Sequence, residues 1–218
     1  MENRFSPDIQ ERMRSIIDPA TQVLLSKKTN SASRTLEIGC GPGQSRLAVN
    51  GGYIGMDLTA ADYKEGLPRT PDVLADAMAL PFPNNVFDFV FYSNIFYQFD
   101  DSHCALSEVI RILRPNGSIL IFDYSLKTLF RVRDLYARHC PEWQVHLRNC
   151  GEWIMLLNEA GFINVKLQKR SLSLKQKLLD LLQCRWTQSL YFSIIDRFEG
   201  NILVEGMKPA YPAGDERE

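Results

Sequence analysis

The most specific chemical signal is a glutamate two positions ahead of a glycine-rich turn. Glu37-Ile-Gly39-Cys40-Gly41-Pro42-Gly43 follows directly on the short apolar run that ends at Ile38. Glycines at 39, 41 and 43 can take positive φ and bring bare backbone against a ligand. In open α/β sheets, ligands bind outside the carboxyl ends of the strands, beside the first one. The dinucleotide pattern Gly-x-Gly-x-x-Gly is not met, because the third glycine follows the second after a single residue. A glutamate repels a pyrophosphate and attracts an ammonium. The turn therefore points to a nucleoside that carries an amino acid.

Further acids and small polar residues recur at matching places. Asp57 closes the next apolar run, in Gly55-Met56-Asp57-Leu58, where a carboxylate can accept from both ribose hydroxyls. Asp76, in Ala75-Asp76-Ala77-Met78, can accept from an adenine amino group. Phe87 to Asn94 is an apolar run ending in two small polar residues, Ser93 and Asn94. Candidates for a proton-accepting role are His103, at a helix start, and Tyr97, just past that run, with Asp123 and His139 further along the chain. His139, Cys140, His146 and Cys150 match no compact zinc spacing, and no metal is expected.

The elements that must hold these residues are legible in the apolar spacing. Residues 7–28 read as a helix with Ile9, Met13, Ile16 and Ile17 on one stripe. Strands are expected at 35–38, 53–56, 72–74, 87–93 and 118–122. A short helix follows the glycine turn at about 44–49. A longer one, capped by Asp101 or Ser102, carries Leu106, Val109, Ile110 and Leu113 and ends at Pro115-Asn116-Gly117. A helix over 151–160, a strand over 162–169, one or two amphipathic helices over 172–198 and a last strand over 201–207 complete the reading. Strands alternating with helices specify a doubly wound α/β fold, with helices on both faces of a mainly parallel seven-stranded sheet.

The chain is expected to be a single domain over 1–218. An N-terminal helical lid spans 1–33, a ligand-binding core 34–125, and a substrate-side half 126–218, whose helical insertion serves as a second lid. Between 127 and 148 five basic residues face two acidic ones, a local surplus able to attract an acidic substrate. The apolar helices of the insertion can cover a hydrophobic acceptor or form a dimer face.

Composition narrows the classes. The chain has 218 residues, 45% hydrophobic and 23% charged, with a formal net charge of −1. That is enough to bury a full core without disulfides or metals, and too apolar for disorder. A near-neutral charge argues against gripping a nucleic-acid backbone. Five widely spaced cysteines without a Cys-x-x-Cys pair fit reduced thiols, and the polar N-terminus lacks a signal-peptide core. A cytoplasmic protein without membrane spans, acting as monomer or homodimer, is the expectation.

In order and spacing, the motifs over residues 34–125 resemble the class I, Rossmann-like S-adenosylmethionine-dependent methyltransferases, specifically their small-molecule branch. The resemblance implies that Glu37, Gly39, Gly41 and Gly43 hold the methionine moiety, Asp57 the ribose, and Asp76 with Met78 the adenine. It places Ser93 and Asn94 near the sulfonium and the methionine carboxylate. Cys40, Leu58 and Ala77, inside the same motifs, complete the expected contacts. The activity implied is methyl transfer from S-adenosylmethionine to a small molecule by in-line displacement. The alternatives are an enzyme of this fold that keeps the cofactor without methylating, and a non-catalytic binding protein. Two features depart from the family pattern: the helix after the glycine turn is short, and the 57–76 interval is compact.

Overall fold

The computed structural model describes residues 19–41, 43–60, 71–124, 145–146, 148–170 and 201–210. The first part of the expected N-terminal helix, most of the basic segment and the insertion at 172–198 lie outside these residues. The first described helix, α1 (Pro19–Lys28), begins at a proline. That is the helical position where a missing N–H costs nothing.

Seven strands follow in one sheet: β1 (Arg34–Ile38), β2 (Gly52–Asp57), β3 (Val73–Leu74), β4 (Phe87–Ser93), β5 (Leu113–Tyr124), β6 (Ile163–Arg170) and β7 (Asn201–Met207). Their order is β3-β2-β1-β4-β5-β7-β6. β1 to β5 run parallel, while β7 lies antiparallel between β5 and β6. The expected mainly parallel seven-stranded sheet is therefore present. The chain reverses direction across it at β1, so the β1 and β4 ends flank the switch point at which such sheets take their ligands.

Alternation along the central strands builds the two faces. Val90 and Tyr92 of β4 and Ile119 and Ile121 of β5 pack under helices α2 (Ser102–Ile112) and α3 (Cys150–Glu159), with Leu106, Val109, Trp153 and Leu157. Phe89, Phe91, Leu120 and Phe122 face the other way, against Leu25 of α1. Strands buried on both sides read as nearly continuous apolar runs, as β4 and β5 do.

Helix starts are set by their caps. The Asp101 side chain accepts from the Cys104 amide at 2.8 Å. Asn149 accepts from Gly151 and Glu152, and Glu152 reaches back to the Asn149 amide at 2.6 Å, a complete capping box. One boundary differs from expectation: α2 stops at Ile112, and Pro115-Asn116-Gly117 is a bulge within β5 rather than the helix terminus. Pro115 disfavours the helical conformation at Arg114. The bulge is held by Asn116 N to Lys208 O (3.1 Å) and Lys208 N to Gly117 O (2.8 Å). The segment after the glycine turn is a 3-10 turn, Gln44–Ala48. No helix among the described residues is long and apolar enough to cross a membrane.

Candidate functional site

The glycine turn leaves β1 at the carboxyl edge. Gly39, Gly41 and Gly43 all have positive φ (72°, 50° and 70°). Gly39 N and Cys40 N both donate to Met56 O at 2.8 and 3.0 Å, so the turn is sewn to β2. A side chain at residue 39 has no room: a Cβ there would lie 2.8 Å from both γ carbons of Ile95.

Two carboxylates support this turn. Asp57, at the end of β2, accepts from Gly41 N at 2.9 Å through Oδ2. Its Oδ1 receives only a long contact of 3.4 Å from Thr59 N. Glu37 is 2% exposed and engages two hydroxyls: Ser45 Oγ donates to Oε1 at 2.8 Å, and Tyr53 OH donates to Oε2. Burial pushes the Glu37 carboxyl up to about 7, against the lowering effect of the two hydroxyls. The same burial, reinforced by the Glu37 charge, raises the Tyr53 phenol and the Cys40 thiol, so both stay protonated. Arg46 lies 4.4 Å above the Tyr53 ring and pairs with Asp72, which in turn accepts from Gly55 N at 2.8 Å.

The remaining expected contacts line the same edge. Asp76 is exposed, and its Oδ1 accepts from Met78 N at 2.9 Å in a tight turn, with Ala77 buried beneath. Leu58, directly after Asp57, is 69% exposed, unusual for a leucine beside a structured turn. Ser93 ends β4. Asn94 has φ 55° and donates its amide to Phe122 O, while its side-chain Oδ1 is buried and meets no donor.

The two proton-acceptor candidates are placed differently. Tyr97 is buried in the 3-10 turn Phe96–Gln98, its hydroxyl accepting from Gln98 Nε2 at 3.0 Å and its ring 5.6 Å from that of Tyr124. Its amide donates to the buried Asp123 carboxylate at 3.0 Å, and its carbonyl accepts from His146 N at 2.8 Å. Burial also pushes Asp123 up to about 7. His103 stands on the exposed first turn of α2, its Nε2 3.8 Å from Glu159 at the end of α3. His139 and Cys140 lie outside the described residues.

Sequence reasoning did not single out Ser45, Tyr53 or Ile95, whose contacts shape the turn. No motif marks them, since a hydroxyl eight residues on and a phenol on the neighbouring strand meet Glu37 only after the sheet has formed. A mainly parallel sheet, a strand order reversing at β1 and a glycine turn with an acid at the second strand's end define a Rossmann-like class of fold. Residues 36–121 match the family model described as "Methyltransferase domain". Over that stretch the chain is similar to methyltransferase domains.

Curated relatives match parts of the chain in sequence, and solved structures share its fold. Demethylmenaquinone methyltransferase of Renibacterium salmoninarum is 31% identical over 119 residues, covering 47% of this chain and 50% of that protein. O-methyltransferase resE of Aspergillus sclerotiorum is 26% identical over 209 residues, covering 80% and 79%. The matches to the first three curated relatives span 44%, 50% and 63% of those proteins' lengths. Among crystal structures, an S-adenosylmethionine-dependent methyltransferase from Mesorhizobium loti superposes with a TM-score of 0.62 at 17% identity, over 87% of this chain and 96% of that one. Phosphoethanolamine N-methyltransferase 2 of Haemonchus contortus, in complex with S-adenosyl-L-methionine, gives 0.62 at 18% identity, over 88% and 53%.

Proposed function

We propose that the protein is an S-adenosylmethionine-dependent methyltransferase acting on a small molecule. The observation that carries this reading is the glycine turn at 39–43, tied to Asp57 through the Gly41 amide, inside the segment that matches the methyltransferase domain. The residues present fit the cofactor. Asp57 Oδ1 has acceptor capacity left for ribose hydroxyls, and Asp76 with Met78 and Leu58 offers a half-apolar place for adenine. The orphaned Oδ1 of Asn94 is a buried acceptor awaiting a donor at the edge where the methionine end belongs. Glu37 fixes the turn through Ser45 and keeps a second lone pair on each oxygen for an ammonium.

When bound, S-adenosylmethionine supplies an electrophilic methyl group on a sulfonium. The work left to the chain is positioning: holding the acceptor atom about 3 Å from that methyl, in line, and keeping water out. Tyr97, whose backbone amide donates to the Asp123 carboxylate, and Asp123 itself are the groups of this edge placed to take a proton from an acceptor. His103 would serve an acceptor reaching the outer turn of α2. The single-domain organisation, with lids from 1–33 and 172–198, and a monomeric or dimeric assembly belong to the same proposal.

Calorimetric titration with S-adenosylmethionine and S-adenosylhomocysteine tests it. Micromolar binding, weakened at least tenfold (about 1.4 kcal/mol) by Asp57→Ala, is the expected result. Folded protein that binds neither compound overturns the reading.

A further inference from the structure

Arg148 occupies an unusual electrostatic position. It immediately precedes Asn149, the cap of α3, and its Nη2 donates to Oγ of Ser102, the first residue of α2, at 2.5 Å. Two helix N-termini, each carrying partial positive charge, thus converge on a guanidinium. Such a place disfavours a cation unless something negative completes it. The loop is anchored at the ligand edge of the sheet, since the His146 amide donates to Tyr97 O at 2.8 Å.

The guanidinium lies over two aromatic rings. Its Cζ lies 5.6 Å from the Phe96 ring centre and 5.4 Å from that of Trp153. Burial among these groups lowers the Arg148 pKa, although the Asp123 and Glu152 charges oppose the shift. Those two carboxylates are committed to backbone amides: Asp123 to Tyr97 and Tyr124 at 3.0 and 2.7 Å, and Glu152 to Asn149 at 2.6 Å. Arg148 Nη1 is buried and donates to nothing. Trp153, 1% exposed, likewise has a buried Nε1 with no acceptor. Two strong donors, stacked in one cluster at the end of two helices, are left without an acceptor. Buried donors of this kind are rare in folded proteins and call for an explanation.

A planar guanidinium with a free donor edge matches an oxyanion better than any neutral group, because carboxylate and phosphate oxygens meet its fork in pairs. We propose that Arg148 and the Trp153 indole form an anion subsite that takes a carboxylate or phosphate group carried by the methyl acceptor. Its role as an acceptor subsite rests on the methyltransferase reading. The donor cluster itself does not. Arg148 then selects acidic acceptors and orients them from a point beside Phe96, two residues past Asn94.

The indole N–H resonance of Trp153, assigned with Trp153→Phe, reports on this cluster directly. Wild-type protein is titrated with inorganic phosphate and, separately, with acetate, with ionic strength held constant by chloride. A saturable shift with one or both oxyanions and none with chloride is expected, and the two arms show which oxyanion is preferred. Arg148→Gln should weaken it at least tenfold. Arg148→Lys, which keeps the charge without the fork, should restore part of it. No saturable shift up to tens of millimolar, or an equal shift in Arg148→Gln, overturns the subsite. If Arg148→Gln does not fold, the oxyanion-against-chloride comparison and Arg148→Lys still decide. S-adenosylhomocysteine binding is measured on the same samples and should not change in Arg148→Gln. Its absence from wild type sinks the methyltransferase reading alone, whereas its presence without an oxyanion shift sinks the subsite alone.

Discussion

The Gly41 amide donates to Asp57 Oδ2 at 2.9 Å, so one carboxylate shapes the glycine turn while its other oxygen receives only a long contact from Thr59 N. Asp57→Asn retains an oxygen for Gly41 but has fewer acceptor sites for a ribose diol. Its affinity for S-adenosylhomocysteine should fall about tenfold with little loss of stability. Asp57→Ala strands the Gly41 amide as well and should also cost about 1 kcal/mol in unfolding free energy. Calorimetry and denaturant unfolding on both variants separate the two roles. Equal effects in the two assays would count against them.

Gly39 combines φ 72° with the immediate proximity of Ile95. Gly39→Ala should destabilise the protein by about 2–5 kcal/mol, from backbone strain and overpacking together. In Gly39→Ala/Ile95→Ala the overpacking is relieved and only the backbone strain and the lost isoleucine remain. The double variant should therefore be markedly more stable than the two single losses sum to. Strict additivity in urea unfolding would show that Ile95 does not confine the turn.

Stability should depend on pH through Glu37. Its folded value of about 7 lies above the ordinary 4.5, because burial penalises the charged form. The folded chain then holds this proton more tightly than the unfolded one. The contribution is fully present below 4.5, is lost as pH rises towards 7, and is constant above. For one group the slope is at most about 1.4 kcal/mol per pH unit. Asp123, raised from 3.8 to about 7, acts in the same direction. Unfolding curves from pH 4.5 to 8 should show the stability of wild type falling relative to Glu37→Gln by roughly 3 kcal/mol across that window. A difference independent of pH would mean that the carboxyl titrates as an ordinary exposed one.

The capping box at Asn149 positions both α3 and the neighbouring Arg148. Asn149→Ala should cost about 1–2 kcal/mol and lower Tm by roughly 2–8 °C. A calorimetric scan checks it. An unchanged Tm would indicate that packing of Trp153 and Leu157, not the cap, holds this helix start.

Much of the architecture was legible because its signals are local. The apolar runs of β4 and β7 coincide with the strands, and Asp101 marks the start of α2. The glycine turn and the acids at 57 and 76 stand out because each is a short pattern beside a strand end. The β5 bulge was missed because Pro115-Asn116-Gly117 reads equally as a helix stop, and the deciding hydrogen bonds come from Lys208, 91 and 92 residues further along the chain from Gly117 and Asn116. Tyr53 and Ser45 escaped notice for the same reason. Their partner is fixed by strand pairing, which no spacing along the chain reveals. The Arg148 cluster joins a loop, two helices and a 3-10 turn, so it exists only once the tertiary fold is in place.

The antiparallel placement of β7 has a consequence for the order in which the molecule is made. β6 leaves the ribosome before β7, yet the only strand it bonds to in the described sheet is β7. Until residues 201–207 emerge, β6 is an orphan segment and β5 presents an open edge of unpaired amides and carbonyls, a template for pairing with other chains. Synthesis halted shortly before Asn201 would thus yield a nascent chain whose half from β1 to β5 is sequence-complete but whose flank is sticky. Chaperone contact would be concentrated in that interval.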